Sequence, residues 1–281
     1  MATRFEVAPE EAGLRLDQVV PRHVAGLSRR QARAVIDIGG VFVDRARVKV
    51  AGRPVRAGQV IEVNVGGALD RGPPPAPEIV FVDDHVIVAD KPAGLVTAPT
   101  PESDRGDLLD QLARRHGEVY LVHRLDLPTS GLLVFARTRD ANKRLGDAFV
   151  RHDVDREYRA VALGDVAPQT LDRPIQGKRA VTHVGALERL AGATLISARL
   201  ETGRSHQIRL HLAGIGHPVA GDAQHGGEAA RTFVPRAPRL ALHAAVLGFT
   251  HPATGQRVRF ERALPPDLAA WIERLRAAAN G

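Results

Sequence analysis

Two rhythms of apolar positions run along the chain. From Ser28 to Ile38, SRRQARAVIDI, the residues Ala32, Val35 and Ile36 recur at helical spacing while Arg29, Arg30 and Arg33 fall on another face. Ser28 followed three residues later by Gln31 has the spacing of a capping box, and Gly39-Gly40 stops the helix. Val41-Phe42-Val43 and the run Gln59 to Val65 then read as short strands, joined by the basic connection Arg45 to Arg56. The pattern predicts a compact helix-plus-hairpin module over residues 1–65. Gly66 to Glu78, GGALDRGPPPAPE, follows as a Gly/Pro-rich linker with a stiff second half.

Residues 79–281 read as a second domain. Ile79 to Val82 and Val86 to Ala89 form a hairpin, Asp90 to Gly94 a turn, Pro99 to Gly106 an irregular polar loop, and Asp107 to His116 a helix. In VYLVHRLDLPTSGLLVFART, residues 119–138, the apolar runs Val119 to Val122 and Leu132 to Ala136 are predicted as buried strands around one polar loop. Asp140 caps a helix to Val150, and Glu157 to Leu163 and Leu195 to Leu200 are strands. From Ser205, read as an N-cap, Ile208, Leu212 and Ile215 fit a helix, although Ile208, Leu210 and Leu212 also alternate as a strand would. Strands at Leu240 to Leu242, Val246 to Thr250 and Val258 to Phe260 precede a closing helix, Pro265 to Ala279, whose single Trp, Trp271, reads as a core anchor. Strand and helix do not alternate regularly, which points to an α+β fold with a mixed, mainly antiparallel sheet flanked by helices.

Composition narrows the chemistry. The 281 residues contain no cysteine, which excludes disulfides and thiolate-bound zinc or iron-sulfur clusters. No run of eighteen apolar residues and no signal-peptide pattern is present, so a cytoplasmic protein without a membrane partner is expected. The net charge is +7, and between Gly13 and Gly58 ten Lys or Arg stand against three acids, so this stretch carries the whole excess. Such concentration suggests a polyanionic partner, most often nucleic acid.

The loop at 123–131 holds His123, Arg124, Asp126, Thr129, Ser130 and Gly131 between two strands, where a scaffold would fix reactive groups. A serine hydrolase is disfavoured, because Ser130 lacks the G-x-S-x-G elbow and the three candidate triad residues crowd one loop. His206, His211 and His217 are spaced poorly for ligands on one helical face, and no Gly-rich loop suits a phosphate. Neither metal nor cofactor is expected. One carboxylate, Asp126, remains in a basic setting.

LDQVV, LSRRQARAVIDIGGVFVD and VRAGQVIEV resemble the small RNA-binding domain named after ribosomal protein S4, also called the αL motif. HRLDLPTSG at 123–131, KPAGLVTAP at 91–99, ETGRSHQIRLHLAGIGHPVAGD at 201–222 and RLALHAAVLGFTHPATG at 239–255 together resemble the RluA/RluD family of RNA pseudouridine synthases. That resemblance implies the pseudouridine synthase fold and the isomerisation of uridine in RNA to pseudouridine, with no cofactor. It implies Asp126 as the essential carboxylate, Tyr158 as the tyrosine against the target base, Arg209 as the partner of Asp126, and Arg124 as the residue that fills the space of the flipped uridine. His123, Thr129, Ser130, Gly131, Arg204, His206 and Gln207 are expected on the substrate side, the loop residues also shaping the turn. Arg29, Arg30, Arg33, Arg47 and Lys49 are expected to contact RNA phosphates. Three residues depart from the family pattern: Arg156 for Lys, His225 for an aromatic and Pro128 for a polar residue. Ribosomal RNA of the large subunit is the expected substrate with transfer RNA as runner-up, and a monomer is expected. An inactive RNA-binding assembly factor and an RNA-directed hydrolase are the competing readings.

Overall fold

The computed structural model describes residues 2–37, 39–64, 76–98 and 107–279. Most of the Gly/Pro-rich linker and the polar loop Pro99 to Gly106 lie outside the described residues. The chain divides into two compact units, residues 1–74 with 99–107, and residues 75–98 with 108–281.

In the first unit β1 (Ala2–Glu6), α1 (Leu16–His23), α2 (Arg29–Asp37), β2 (Val41–Val43), β3 (Ala46–Val48) and β4 (Val60–Asn64) follow in order. The four strands pair antiparallel in the order β1-β4-β2-β3. The predicted capping box is present: the Ser28 amide donates to Gln31 Oε1 at 2.8 Å, and the Gln31 amide to Ser28 Oγ at 3.3 Å. Ala32, Val35 and Ile36 bury against Leu16, Val19 and Val20 of α1 and Val41, Ile61 and Val63 of the sheet. The sequence pattern did not predict β1 or α1. A fully buried carboxylate, Asp17, gathers Arg15 at 3.1 Å, Arg29 at 3.4 Å and Arg33 at 3.5 Å. A buried charge requires such pairing, so two of the helix arginines expected to face RNA also support the fold.

The second unit contains β5 (Glu78–Val82), β6 (Val86–Lys91), α3 (Leu108–His116), β7 (Tyr120–Leu121), β8 (Ser130–Ala136), α4 (Arg139–Val150) and β9 (Asp155–Leu163). These are followed by β10 (Gln169–Asp172), β11 (Val181–Leu190), β12 (Ala193–Leu200), α5 (Gln207–Gly214), α6 (Gly227–Thr232), β13 (Leu242–Thr250), β14 (Arg257–Glu261) and α7 (Pro266–Ala279). One ten-stranded sheet runs β10-β11-β12-β9-β13-β8-β6-β5, with β14 on β13 and β7 on β8. Every pairing is antiparallel except β8 with β13, which run parallel through His243 opposite Ser130 and Ala244 opposite Gly131. The sheet is therefore mixed and mainly antiparallel, as the sequence indicates.

Strand β8 is buried at all seven positions, the uniform burial of a strand covered on both faces. At its start Gly131 has φ +120°, and a Cβ there would lie 2.3 Å from the Ala244 carbonyl oxygen. Only glycine allows that approach, which fixes where the preceding polar loop emerges. Helix α7 buries Leu268, Trp271, Ile272 and Leu275, and the Trp271 indole donates to the Pro235 carbonyl at 2.9 Å.

Three local expectations need correction. The run Val119 to Val122 pairs only at Tyr120–Leu121 and is half-buried, because the chain turns away into the polar loop. Thr138, not Asp140, caps α4, its hydroxyl accepting from the Ala141 amide at 3.1 Å. The helix reading at 205–215 holds over the strand reading, but its cap is His206 in left-handed backbone, with Ser205 outside. Strands β10 and β11 were not foreseen. β11 leaves Ala186, Leu187 and Arg189 exposed, so no buried-and-polar alternation runs through its second half, and it carries Gly185, which reads as a turn signal.

Candidate active site

The polar loop between β7 and β8 is held from below. The Thr97 hydroxyl donates to the Leu125 carbonyl at 2.9 Å and accepts from the Leu125 amide at 3.2 Å. The fully buried Lys91 ammonium donates to the carbonyls of Leu95 at 2.9 Å, Pro92 at 3.0 Å and Leu127 at 3.4 Å. The Gly94 amide reaches the same Leu127 carbonyl at 2.8 Å. Thus the segment KPAGLVTAP supports the backbone on both sides of Asp126. Burial pushes the Lys91 ammonium down to about 7, with Asp126 opposing that shift.

Asp126 projects from this loop, its side chain about a quarter exposed at 27 %. Its Oδ2 accepts from Arg209 Nη1 at 3.2 Å. Arg209, only 4 % exposed, is itself fixed by Asp222, which accepts from Nε and Nη2 at 2.8 Å each, and by Gln224 Oε1 at 3.2 Å. Asp222 also accepts the amides of Gln224 and His225. Burial would raise the Asp222 carboxyl, but the Arg209 hydrogen bond and these amides outweigh it and hold the group below its ordinary range. The two-pronged clamp uses one guanidinium edge, Nε with Nη2, and leaves Nη1 aimed at Asp126, a geometry that a lysine cannot supply.

Tyr158 lies on β9, buried and opposite Ala198 and Ala244 in the sheet register. Burial raises its phenol, with Arg156 opposing and Asp126 adding to the rise, so the hydroxyl keeps its proton. His206 approaches from the other side, its Nε2 3.8 Å from Asp126 Oδ1 and its Nδ1 2.8 Å from His225 Nε2. Arg124 is exposed.

The structure thus brings Asp126, Arg209 and His206 together. Other residues expected on the substrate side turn inward. His123 stacks on Phe149 with ring centroids 4.6 Å apart, and its Nε2 accepts the Val134 amide at 3.1 Å. Burial, with Arg156 nearby, pushes it down to about 3 and keeps it neutral. Ser130 Oγ contacts His243 Nδ1 at 3.0 Å within the core, and Gly131 serves the β8–β13 approach. Buried Thr129 donates its amide to the Asp126 carbonyl at 3.1 Å, closing the turn. Gln207 is the centre of a buried knot, donating to the Val181 carbonyl and Thr182 Oγ1 and accepting from Thr202 and the Arg204 amide. Arg204 donates its Nε to the Arg179 carbonyl. His211 and His217 bond separately, to Thr182 with the Arg173 carbonyl and to the Leu163 carbonyl, and do not converge with His206.

In the first unit Arg47 and Lys49 are exposed, with the Arg47 guanidinium 5.2 Å from the Phe42 ring centroid. Arg156 is buried, donating to the Glu201 carbonyl at 3.1 Å with its guanidinium 5.4 Å from the Phe149 ring. The sequence reasoning missed Lys91, Thr97 and Asp222 as supports. Their signal was their place inside motifs already singled out, Lys91 before Pro92 and Asp222 at the end of HPVAGD.

A sequence model described as RNA pseudouridylate synthase matches residues 85–214, and an S4 domain model matches residues 14–61. The chain is 37% identical over 294 aligned residues to the ribosomal large subunit pseudouridine synthase D of Nitrosomonas europaea, spanning 94% of this chain and 85% of that protein. It is 36% identical to the uncharacterized RNA pseudouridine synthase YlyB of Bacillus subtilis, spanning 95% and 96% of the two chains. Among solved structures, human RNA pseudouridylate synthase domain containing 1 superposes with a TM-score of 0.59 at 25% identity, covering 71% of this chain and 89% of that one.

Proposed function

The chain belongs to the RNA pseudouridylate synthase family, and from that membership we propose that it isomerises specific uridines of large-subunit ribosomal RNA through Asp126. The relatives named for the large ribosomal subunit support that substrate class. The observation that carries the assignment of Asp126 is its contact with Arg209, whose other edge is committed to Asp222.

In the reaction the N1–C1′ bond of uridine breaks, a C5–C1′ bond forms, the C5 proton leaves and N1 takes up a proton, so the atoms of the base are conserved. Water must be kept from the detached sugar. A glycosidase that delivers water uses two free carboxylates; here Asp222 is engaged by Arg209 and two amides and is not free to activate water. One carboxylate suits isomerisation, whether it attacks C1′, attacks C6 or removes a sugar proton, and each route requires it ionised. Arg209 Nη1 supplies the facing positive charge at 3.2 Å. The uridine must leave its stack, at a cost of about a few kcal/mol. Arg124, exposed two residues from Asp126, fills the vacated space, and Tyr158 packs against the flipped base.

Replacement of Asp126 by Asn tests the reading. The Asn variant should bind RNA and form no pseudouridine when ribosomal RNA from cells lacking the gene is the substrate. Pseudouridine formed at the wild-type rate would overturn the assignment, and free uracil as the wild-type product would replace isomerisation by hydrolysis. Pseudouridine appearing only in transfer RNA would replace the substrate class.

A further inference from the structure

His206 and His225 form a contact beside Asp126 to which the isomerisation assigns no role. His206 holds left-handed backbone, φ 55°, at the N-terminus of α5, and its side chain makes no capping bond. The ring turns instead toward His225, with Nδ1 2.8 Å from His225 Nε2 and ring centroids 5.0 Å apart at 60°. The remaining nitrogen, Nε2, stands 3.8 Å from Asp126 Oδ1. A nitrogen–nitrogen contact of this length needs one donor and one acceptor, so the two rings share one proton across it. A carboxylate facing His206 Nε2 favours a proton on that nitrogen. His206 Nδ1 is then the acceptor and His225 Nε2 the donor, which gives a directed chain from His225 through His206 to Asp126.

The charged groups around the pair are few and sit on separate segments. Arg209 approaches from α5, Asp222 from the segment before α6, and Asp126 from the polar loop, and all three act on His225. Arg209 occupies Asp126 Oδ2 at 3.2 Å, so Oδ1 is the oxygen presented on the His206 side. At 3.8 Å the His206 N–H directs that oxygen without a normal hydrogen bond to it. One further proton, taken up at His225 Nδ1, reverses the shared contact, because the proton between the rings then passes to His206 Nδ1. His206 then carries N–H groups on both nitrogens, His225 becomes the acceptor, and an imidazolium faces Oδ1.

We propose that His225, acting through His206, positions Asp126 Oδ1 for reaction and closes that oxygen off when the pair takes up a further proton. His225 is a positioning residue, and the proposal rests on Asp126 being the reactive carboxylate. Burial and Arg209 disfavour a doubly protonated His225, so its Nε2 gives up the shared proton across the 2.8 Å contact toward the carboxylate side. With Arg209 bonded to Oδ2 and an imidazolium facing Oδ1 across 3.8 Å, both oxygens face a positive charge and the rate falls on the acid side.

The test is kcat for pseudouridine formation between about pH 5 and about 8, the span in which imidazoles titrate, for wild type, His225→Phe, His225→Gln and Asp126→Asn. Phe fills the ring volume but removes the acceptor that stabilises the imidazolium, so the acid limb should move down by about one pH unit, the effect of one charge-assisted hydrogen bond. Gln restores an acceptor through its Oε1, and its limb should return toward that of wild type. Unfolding followed by Trp271 fluorescence identifies any variant that is simply unstable, and the Gln variant then carries the test. An acid limb at the wild-type midpoint in both His225 variants, with Asp126→Asn inactive throughout, overturns the proposal and leaves the Asp126 reading standing. Activity retained in Asp126→Asn overturns that reading instead.

Discussion

Replacing Arg209 by Met separates two jobs that the clamp performs at once. Met preserves much of the volume but strands Asp222, which is 1 % exposed and now faces no guanidinium. Removing one partner of a buried pair costs about 3–5 kcal/mol, because the other charge is left in a low-dielectric site. The folded unit should be correspondingly weakened. The stranded carboxyl would titrate at a higher pH than in wild type, where Arg209 holds it below its ordinary range; in wild type that contribution is present above the unfolded carboxyl pKa and lost as pH falls through the folded one. Adding Asp222→Asn to Arg209→Met removes the stranded charge and should recover most of the lost stability. It should not recover activity, because Asp126 still lacks its 3.2 Å donor. A hydrogen bond to a charged group is worth about 1.5–3 kcal/mol, which corresponds to about 10- to 150-fold in rate. The single Trp, buried in the second unit, reports urea unfolding of that unit, and pseudouridine formation on ribosomal RNA reports the rate. A single variant weakened by less than about 1 kcal/mol would refute the buried-charge argument. A double variant with wild-type rate would refute the role of Arg209 at Asp126.

Two further outcomes follow from the geometry. Lys91 is held down to about 7 when folded against an ordinary value of 10.5, so between these pH values the unfolded chain binds the extra proton and stability rises with pH, by up to about 1.4 kcal/mol per unit. Lys91→Met should lack that slope in Trp271-monitored unfolding, and an identical slope in both proteins would contradict the burial of a titrating ammonium. In the first unit, Arg47→Ala with Lys49→Ala should lower the slope of log binding constant against log salt by roughly 1.4–1.8 if each contacts one phosphate. These residues are a cleaner test than Arg29 and Arg33, whose loss would also expose the charge of Asp17; an unchanged salt slope would make Arg47 and Lys49 ordinary surface.

What was legible in the sequence depended on whether a residue's task was local. The Ser28–Gln31 box, the arginine-bearing helix after it and the mixed sheet could be read because a cap, a helical period and a buried strand each write themselves within a few neighbouring residues. Strands β10 and β11 lay beyond that reach, since their apolar positions are set by partners across the sheet. Inside the site the same division holds. The resemblance placed Asp126, Tyr158 and Arg209, but nothing in the spacing told an inward-facing His123 or Gln207 from a substrate-facing one. That distinction depends on Val134 for the first and on Val181 and Thr182 for the second, groups 11 and about 25 residues away.

The missed supports share a physical reason for being where they are. On the proposed role of Asp126, its carboxylate must be accurately aimed and cannot depend on its own loop, because a nine-residue polar turn has too few internal contacts to resist the pull of water. Lys91 and Thr97 hold the backbone on either side of Asp126, and Asp222 holds the arginine that holds its side chain. Each support is itself buried and polar, hence costly unless fully bonded, and each is nearly saturated: three carbonyls on Lys91, two contacts on Thr97, and four donors on Asp222. His206 differs, with one short contact to His225 and one long one to Asp126. In a set of saturated supports, the group with bonding capacity in reserve is the one able to respond when a proton arrives, which is why the part of the acid limb that moves with His225 should trace to the histidine pair, apart from the titration of Lys91 at about 7.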